Sequence, residues 1–283
     1  VRLKLTDPTH GVSISGRLEL AIELARSAGD VLLDGLESDF TISTKSSPFD
    51  LVTDIDRKSQ ETITSGIHES FPNDGVVAEE EGCTQRANNE WMWVIDPLDG
   101  TTNYVHKFPL FCVSIGVMHG DEPVVGVIFN PFLNELYVAS KDSGESLNGK
   151  PIHVSKNDTI TSSMLVTGFP YSKTSPPNNN FYNFVTFMEA TRSIRRLGSA
   201  ALDMAFVACG RLDGFWEVKL RPWDVAAGTV IIREAGGLVT NFVGEHFDIF
   251  SRFILASNGL IHDSMIEKLR EAAENEYLQR SGQ

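Results

Sequence analysis

The residues best suited to chemistry in this sequence are carboxylates placed where an apolar run stops. Trp93-Val94-Ile95-Asp96-Pro97-Leu98-Asp99-Gly100-Thr101-Thr102-Asn103 reads as an apolar strand that breaks into a turn. Pro97 fixes φ and is expected to end the hydrogen-bonded ladder, and Gly100 permits close backbone approach. Asp96 and Asp99 stand three residues apart with the Leu98 carbonyl between them, so the three can converge on one point. Carboxylates, a carbonyl and water are what a hard cation takes as ligands. Taken alone, the same spacing also describes an ordinary Asp-Pro turn with solvated acids.

Three other acidic groups share this character. Glu79-Glu80-Glu81 follows the apolar run Val76-Val77-Ala78. It is either a solvated loop or, like Asp96, a strand-end site of the kind layered α/β folds collect. Asp50, Asp54 and Asp56 precede a predicted helix; one of them can be its N-cap, but three exceed what a cap requires. Glu217 and Asp224 flank Lys219-Leu220-Arg221-Pro222-Trp223, and Asp224 stands at a predicted helix start, where free N–H groups also favour phosphate. The Ala226-Ala227-Gly228 that follows permits close helix packing.

Competing motifs fail. Gly144 to Lys150 satisfies GxxxxGK, but Pro151 replaces the hydroxyl residue and a hairpin turn at Asn148-Gly149 explains the pattern. No GxGxxG opens a helix, no GxSxG elbow occurs, and the seven histidines show no paired-ligand spacing.

The elements that must position these acids follow from periodicity. Helical spacing runs from Arg17 to Leu36, with residues 1–16 irregular, and a second helix is expected over Arg57–Ser70. Between them, Thr41–Asp56 reads as a strand, a turn at Ser46-Ser47-Pro48 and a short approach to the helix. Strands are expected at Val76–Glu79, Trp91–Ile95, Phe111–His119, Val124–Asn130 and Glu135–Ala139, with a hairpin from Asn148-Gly149 into Ile152-His153-Val154. Residues 171–180 read as a polar loop. The last third alternates: strand Ser193–Leu197, helix Ala200–Cys209, strand Gly214–Val218, helix Trp223–Ala235, strands Leu238–Asn241 and Phe253–Ser257, and helix Leu260–Glu276. The interleaving predicts an α+β or mixed α/β layered fold.

The 283 residues carry 38 Asp+Glu against 24 Lys+Arg, a net charge of −14. Such a chain repels polyanions in bulk, which disfavours general nucleic-acid binding and docking on anionic lipid. No apolar run approaches the roughly 18 residues of a membrane span. Cys83, Cys112 and Cys209 are few, odd in number and widely spaced, which suits a reducing compartment. A cytoplasmic location is therefore expected, with no membrane partner.

The combination Asp96-Pro97-Leu98-Asp99-Gly100-Thr101-Thr102-Asn103, the upstream Glu79-Glu80 and the downstream Trp223-Asp224-Val225-Ala226-Ala227-Gly228 resembles the inositol monophosphatase family, in this order and over nearly the whole chain from Arg17. Ser193 to Asp203 and Leu220 to Asp224 look most like bacterial members. The resemblance implies a five-layer αβαβα sandwich, one domain over 1–283 whose approximate halves, 1–150 and 151–283, share an active-site cleft. It implies Mg²⁺-dependent hydrolysis of inositol monophosphates by in-line attack of water, without a covalent intermediate, and sensitivity to Li⁺ and to high Ca²⁺.

By the same resemblance two to three Mg²⁺ are held. Glu79, Asp96, the Leu98 carbonyl and Thr101 would take the first, and Asp96, Asp99 and Asp224 the second. Glu79 would border a weaker third. Asp56 and Thr101 match the pair that activates the attacking water, with Glu80 behind them, and Gly100 and Thr101 N–H groups match the phosphate cradle. Asp99, Ala200, Glu217 and Asp224 match contacts to inositol hydroxyls, and Lys45-Ser46-Ser47 matches a mobile loop. Such cations suit phosphate monoesters, whose uncatalysed hydrolysis is among the slowest reactions known. A homodimer is the family habit. Thr102-Asn103 is the monophosphatase form of the motif; histidinol-phosphate and fructose 1,6-bisphosphate phosphatases remain alternatives, as does a regulatory protein-binding role on the same fold. Arg221-Pro222 departs from the animal enzymes at the pocket rim.

Overall fold

The structure is a computed structural model that describes residues 11–281 apart from 39, 46–47, 49, 81–83, 86–89 and 171–179. In chain order it contains α1 (Gly11–Leu36), β1 (Ile42–Thr44), β2 (Leu51–Thr53), α2 (Asp54–Ser70), β3 (Gly75–Ala78), β4 (Thr84–Gln85), β5 (Trp91–Asp99), α3 (Thr101–Val105), β6 (Cys112–His119), β7 (Glu122–Asn130), β8 (Glu135–Ser140) and β9 (Gly144–Leu147). There follow β10 (Met164–Thr167), α4 (Phe181–Ala190), β11 (Ser193–Arg195), α5 (Ala200–Ala208), β12 (Gly214–Val218), α6 (Pro222–Glu234), β13 (Leu238–Thr240), β14 (Phe253–Ser257) and α7 (His262–Ser281).

Two sheets organise these elements. One has seven strands in the order β4-β3-β5-β6-β7-β8-β9, and the other has five in the order β11-β10-β12-β14-β13. Alternation along the strands dictates the layers, because successive side chains face opposite sides. In β5, Trp93 and Ile95 join a core with α1 and α2, whereas Val94 joins a second core with α5 and α6. In β12, Phe215 faces that second core, and Trp216 faces a third built with Phe187 of α4 and Met265 and Leu269 of α7. The order is thus α1/α2, seven strands, α5/α6, five strands, α4/α7: the expected five-layer sandwich.

The middle layer is pressed close to the larger sheet. A Cβ on Gly126 would lie 2.3 Å from the Ala227 carbonyl oxygen, and one on Gly116 would lie 2.7 Å from Ala226 Cβ. Gly228 allows the same approach to α5, since a Cβ there would lie 2.7 Å from Met204 Cβ. The small residues at the start of α6 are therefore packing residues, and their closeness brings Asp224 to the end of β5.

Several boundaries differ from the sequence reading. Helix α1 begins at Gly11, within the stretch expected to be irregular; residues 1–10 lie outside the described ones. The ladder does not end at Pro97. Strand β5 runs on to Asp99, with Asp96 opposite Ser114 and Asp99 opposite Cys112, so a bulge absorbs the residue that cannot donate. The Asn148-Gly149 turn forms, with positive φ at both residues, but its partner strand β9 precedes it and 152–154 form no strand. Strand β10 and helices α3 and α4 are not announced by the local sequence pattern. The predicted polar loop 171–180 and Ser46-Ser47 lie outside the described residues, apart from Asn180.

Candidate active site

The site forms where strand ends and helix starts meet. Strand β3 stops at Ala78, which leaves Glu79 just past its end, beside the parallel strand β5 that carries Asp96 and Asp99. Helices α2, α5 and α6 begin in the same region, and each holds one oxygen of one carboxylate.

Asp56 is the third residue of α2 and closes a capping box with Thr53. Its Oδ2 accepts from the Thr53 N–H at 2.8 Å and the Thr53 hydroxyl at 2.6 Å, leaving Oδ1 toward Thr101. Asp224 is the third residue of α6, and its Oδ2 accepts the Arg221 N–H at 2.6 Å. Asp99 sits over the start of α5, and its Oδ2 accepts the Ser199 hydroxyl and the Ala201 N–H, both at 2.7 Å. Asp96 binds its own turn: Oδ1 accepts the Leu98 N–H at 3.0 Å. In each case protein donors hold one oxygen, and the second oxygen of Asp56 meets the Thr101 hydroxyl.

The turn after β5 is held with equal care. Gly100 has φ of +93°, and a Cβ there would lie 3.0 Å from the Leu110 carbonyl oxygen, so only glycine fits. Thr101 Oγ1 lies 3.2 Å from both Asp56 Oδ1 and the Leu98 carbonyl. Asn103 donates to the carbonyls of Leu110 (2.6 Å) and Leu197 (2.8 Å) and so fastens this turn to the loop that leads into α5. Glu217, the last residue but one of β12, lies against Gly168, where a Cβ would lie 2.3 Å from its Oε1. Asn180 braces that corner, donating to Thr167 Oγ1 and accepting from the Trp216 indole, both at 2.8 Å.

Electrostatics show what such a site lacks. Burial raises the Asp96 carboxyl well above its ordinary range, and the charges of Glu79, Asp99 and Asp224 raise it further. Burial also raises Asp224, with the charge of Asp99 next. It pushes Asp99 up to about 6 in spite of the donors from Ser199 and α5, and Glu217 up to about 8, helped by the charge of Asp99. Asp56 is raised by burial as well. Like charges are packed without enough positive charge among them.

Positive charge reaches the site from Lys45, with Arg57 acting on Glu80 and Arg196 on Glu217. Lys45 Nζ lies 2.7 Å from Glu79 Oε1 and also pairs with Glu80. These carboxylates hold the ammonium above its usual range against the opposing effect of burial. Gln60 of α2 clamps the same turn, accepting the Glu80 N–H at 2.9 Å and donating to its carbonyl at 2.7 Å.

Among the described residues no three acidic, histidine or cysteine side chains stand drawn together as a ready-made ion shell. The donor set nevertheless fits a hard divalent cation. It is all oxygen, it is buried, Asp96, Asp99 and Asp224 each have one oxygen held in place by protein donors, and the mutual repulsion of the acids is relieved by added positive charge. Asp56, Glu79, Glu80, Asp96, Asp99, Glu217 and Asp224 fall in one neighbourhood with Thr101, Gly100 and Ala200; Asp54 instead pairs with Lys58 on α2, and Glu81 lies outside the described residues. Sequence reading missed Gln60, Ser199, Asn180 and Asp203. Ser199 before the first turn of α5 was the legible signal, as an N-cap type; the others are far in sequence from what they touch. Asp203, in α5, is 1% exposed, and its Oδ1 has no hydrogen-bond partner.

Comparison with known proteins agrees with this geometry. The family model described as "Inositol monophosphatase family" matches residues 15–274.

The chain belongs to the inositol monophosphatase family.

Inositol-1-monophosphatase of Synechocystis is 43% identical over 252 residues, covering 89% of this chain and 88% of that protein. Nus factor SuhB of Escherichia coli is 37% identical over 256 residues, covering 90% and 96%. The solved structure of inositol monophosphatase from Anabaena superposes with a TM-score of 0.83 at 41% identity, covering 91% of this chain and 96% of that one. Membership in this family of phosphatases accounts for the five layers and for the acids at their strand ends.

Proposed function

We propose that this chain is a Mg²⁺-dependent phosphatase that hydrolyses inositol monophosphates to inositol and phosphate. The observation that carries the reading is the set of four aspartates at one junction of strand ends and helix starts, each with one oxygen committed to the protein. Glu79, Asp96, the Leu98 carbonyl and Thr101 would hold one Mg²⁺, and Asp96, Asp99 and Asp224 a second, with Glu79 beside a weaker third. When bound, the ions would supply Lewis acidity toward water and charge neutralisation for the phosphate and leaving group.

The chain's own groups do the positioning. Thr53 fixes Asp56 so that Oδ1 faces the Thr101 hydroxyl, 3.2 Å away. This pair orients the attacking water, and Asp56 Oδ1 receives its proton, with Glu80 behind it. Backbone N–H groups of Gly100 and Thr101 cradle the phosphate. Asp99, Ala200, Glu217 and Asp224 contact the ring hydroxyls. Attack is in line, and no residue is required as a nucleophile. The chain acts as one domain over 1–283, with both halves lining the cleft, and as a homodimer.

A panel of phosphomonoesters assayed with Mg²⁺ tests the reading. The highest kcat/KM is expected for inositol 1-phosphate, above histidinol phosphate and fructose 1,6-bisphosphate. No hydrolysis of any ester would overturn it. One finding favours a second role: relatives named Nus factor cover the chain as fully as those named phosphatase. Capture of transcription proteins by the Asp96→Asn variant would support that role beside catalysis.

A further inference from the structure

Asp99 differs from the other aspartates in who orients it. Thr53 is the local partner of Asp56, and Arg221 that of Asp224, each three residues away. Asp99 is oriented by Ser199, a hundred residues away in the loop before α5. Ser199 is 2% exposed. Its Oγ accepts the Leu202 N–H at 3.3 Å as the helix cap, so its one proton goes to Asp99 Oδ2 at 2.7 Å. The Ala201 N–H takes the second lone pair of that oxygen, also at 2.7 Å. The buried Cys112 thiol packs against the same pair, 3.9 Å from Asp99 Oδ2 and 3.6 Å from Ser199 Oγ. Two short bonds fill the in-plane positions of Oδ2 and leave Oδ1 as the free donor.

We propose that Ser199 is a positioning residue that makes Asp99 a one-oxygen ligand and thereby sets the affinity of the cation held by Asp96, Asp99 and Asp224. This rests on the reading of the cluster as a metal site. Without the hydroxyl, Asp99 loses one of its two short bonds on Oδ2 and is held there by the Ala201 N–H and the longer Cys112 thiol contact, which leaves it freer to rotate about its Cβ–Cγ bond. Outer groups that orient a ligand typically govern metal affinity by about 10–100-fold. The hydroxyl also ties the cation to the start of α5, the helix that carries Ala200.

Mn²⁺ binding to the full chain, followed by electron paramagnetic resonance without substrate, tests this. Ser199→Ala is expected to weaken one class of Mn²⁺ site at least about tenfold and leave another unchanged, while Ser199→Thr restores wild-type binding. Ser199→Gly, which largely keeps the helix start, gives the same comparison should the alanine variant fold poorly. Affinity within twofold of wild type in Ser199→Ala or Ser199→Gly, or no rescue by threonine, would overturn the proposal. Failure of the underlying reading looks different: Asp96→Asn would then titrate with Mn²⁺ like the wild type.

Discussion

Asp96 is buried among like charges. It is 2% exposed and repelled by Glu79, Asp99 and Asp224. Asp96→Asn removes the charge at the point shared by both proposed cations while nearly conserving shape. Its activity is expected to fall by more than about a hundredfold, the upper range for loss of a mere outer-shell group, as read by steady-state assay with saturating Mg²⁺. Asp203 makes the opposite case. Its carboxyl is raised well above 3.8 by burial, then by the charges of Glu217 and Asp99. A neutral isostere removes a charge that the fold must otherwise suppress. In metal-free protein, Asp203→Asn is expected to melt higher than wild type at pH 8 and about equally near pH 4. Thermal scans at the two pH values check this, and a lower melting temperature at pH 8 would contradict it.

Helix starts are the devices that aim the acids. Helix α2 owes its beginning to Thr53, which accepts from the Ile55 and Asp56 N–H groups and donates to Asp56. Thr53→Ala is expected to destabilise the protein by about 1 kcal/mol, the usual loss for a cap. The same change leaves Asp56 Oδ2 with only the backbone N–H of residue 53, so kcat should fall while KM changes little; urea titration and kinetics on one preparation separate the two effects. Strand β5 shows the complementary principle. Its bulge between Asp96 and Asp99 turns both side chains toward the site, which a regular strand would not do at this spacing, because residues three apart point to opposite faces.

The whole chain carries a charge of −14, and the buried acids concentrate part of it in one place. For Asp99 the folded value is about 6 against an ordinary 3.8, and for Glu217 about 8 against 4.5. Between those limits the folded state holds protons that the unfolded state has released, so stability falls as pH rises. Metal-free protein should therefore lose stability from about pH 4 to 6 through Asp99 and up to pH 8 through Glu217. Mg²⁺ favours the charged forms, and at a hundred times its Kd it adds about 2.7 kcal/mol. The rise in melting temperature on adding Mg²⁺ after chelation is expected to be larger at pH 8 than at pH 5. Equal rises would remove Asp99 from the metal site.

Most of the elements and a layered mixed fold were legible in the chain, because alternation and helical spacing report which face of each element is buried; the five layers followed from the resemblance. The acids were legible as well, since Asp96, Asp99 and Glu79 lie at abrupt ends of apolar runs. Resemblance then joined Asp56, Glu217 and Asp224 to them, which spacing alone does not do. Local signals failed where a partner is remote. Pro97 promised the end of a ladder, yet β6 lies close enough to pair beyond it through a bulge. Helix α4 begins at Asn180 with φ of +70°, held by Trp216 and Thr167 from two other strands, and no local pattern announces it. Ser199 can be recognised as a cap from its neighbours alone. That its proton belongs to Asp99 depends on packing α5 against the end of β5, because a hydrogen bond acts over about 3 Å, and only folding brings residues a hundred positions apart to that distance.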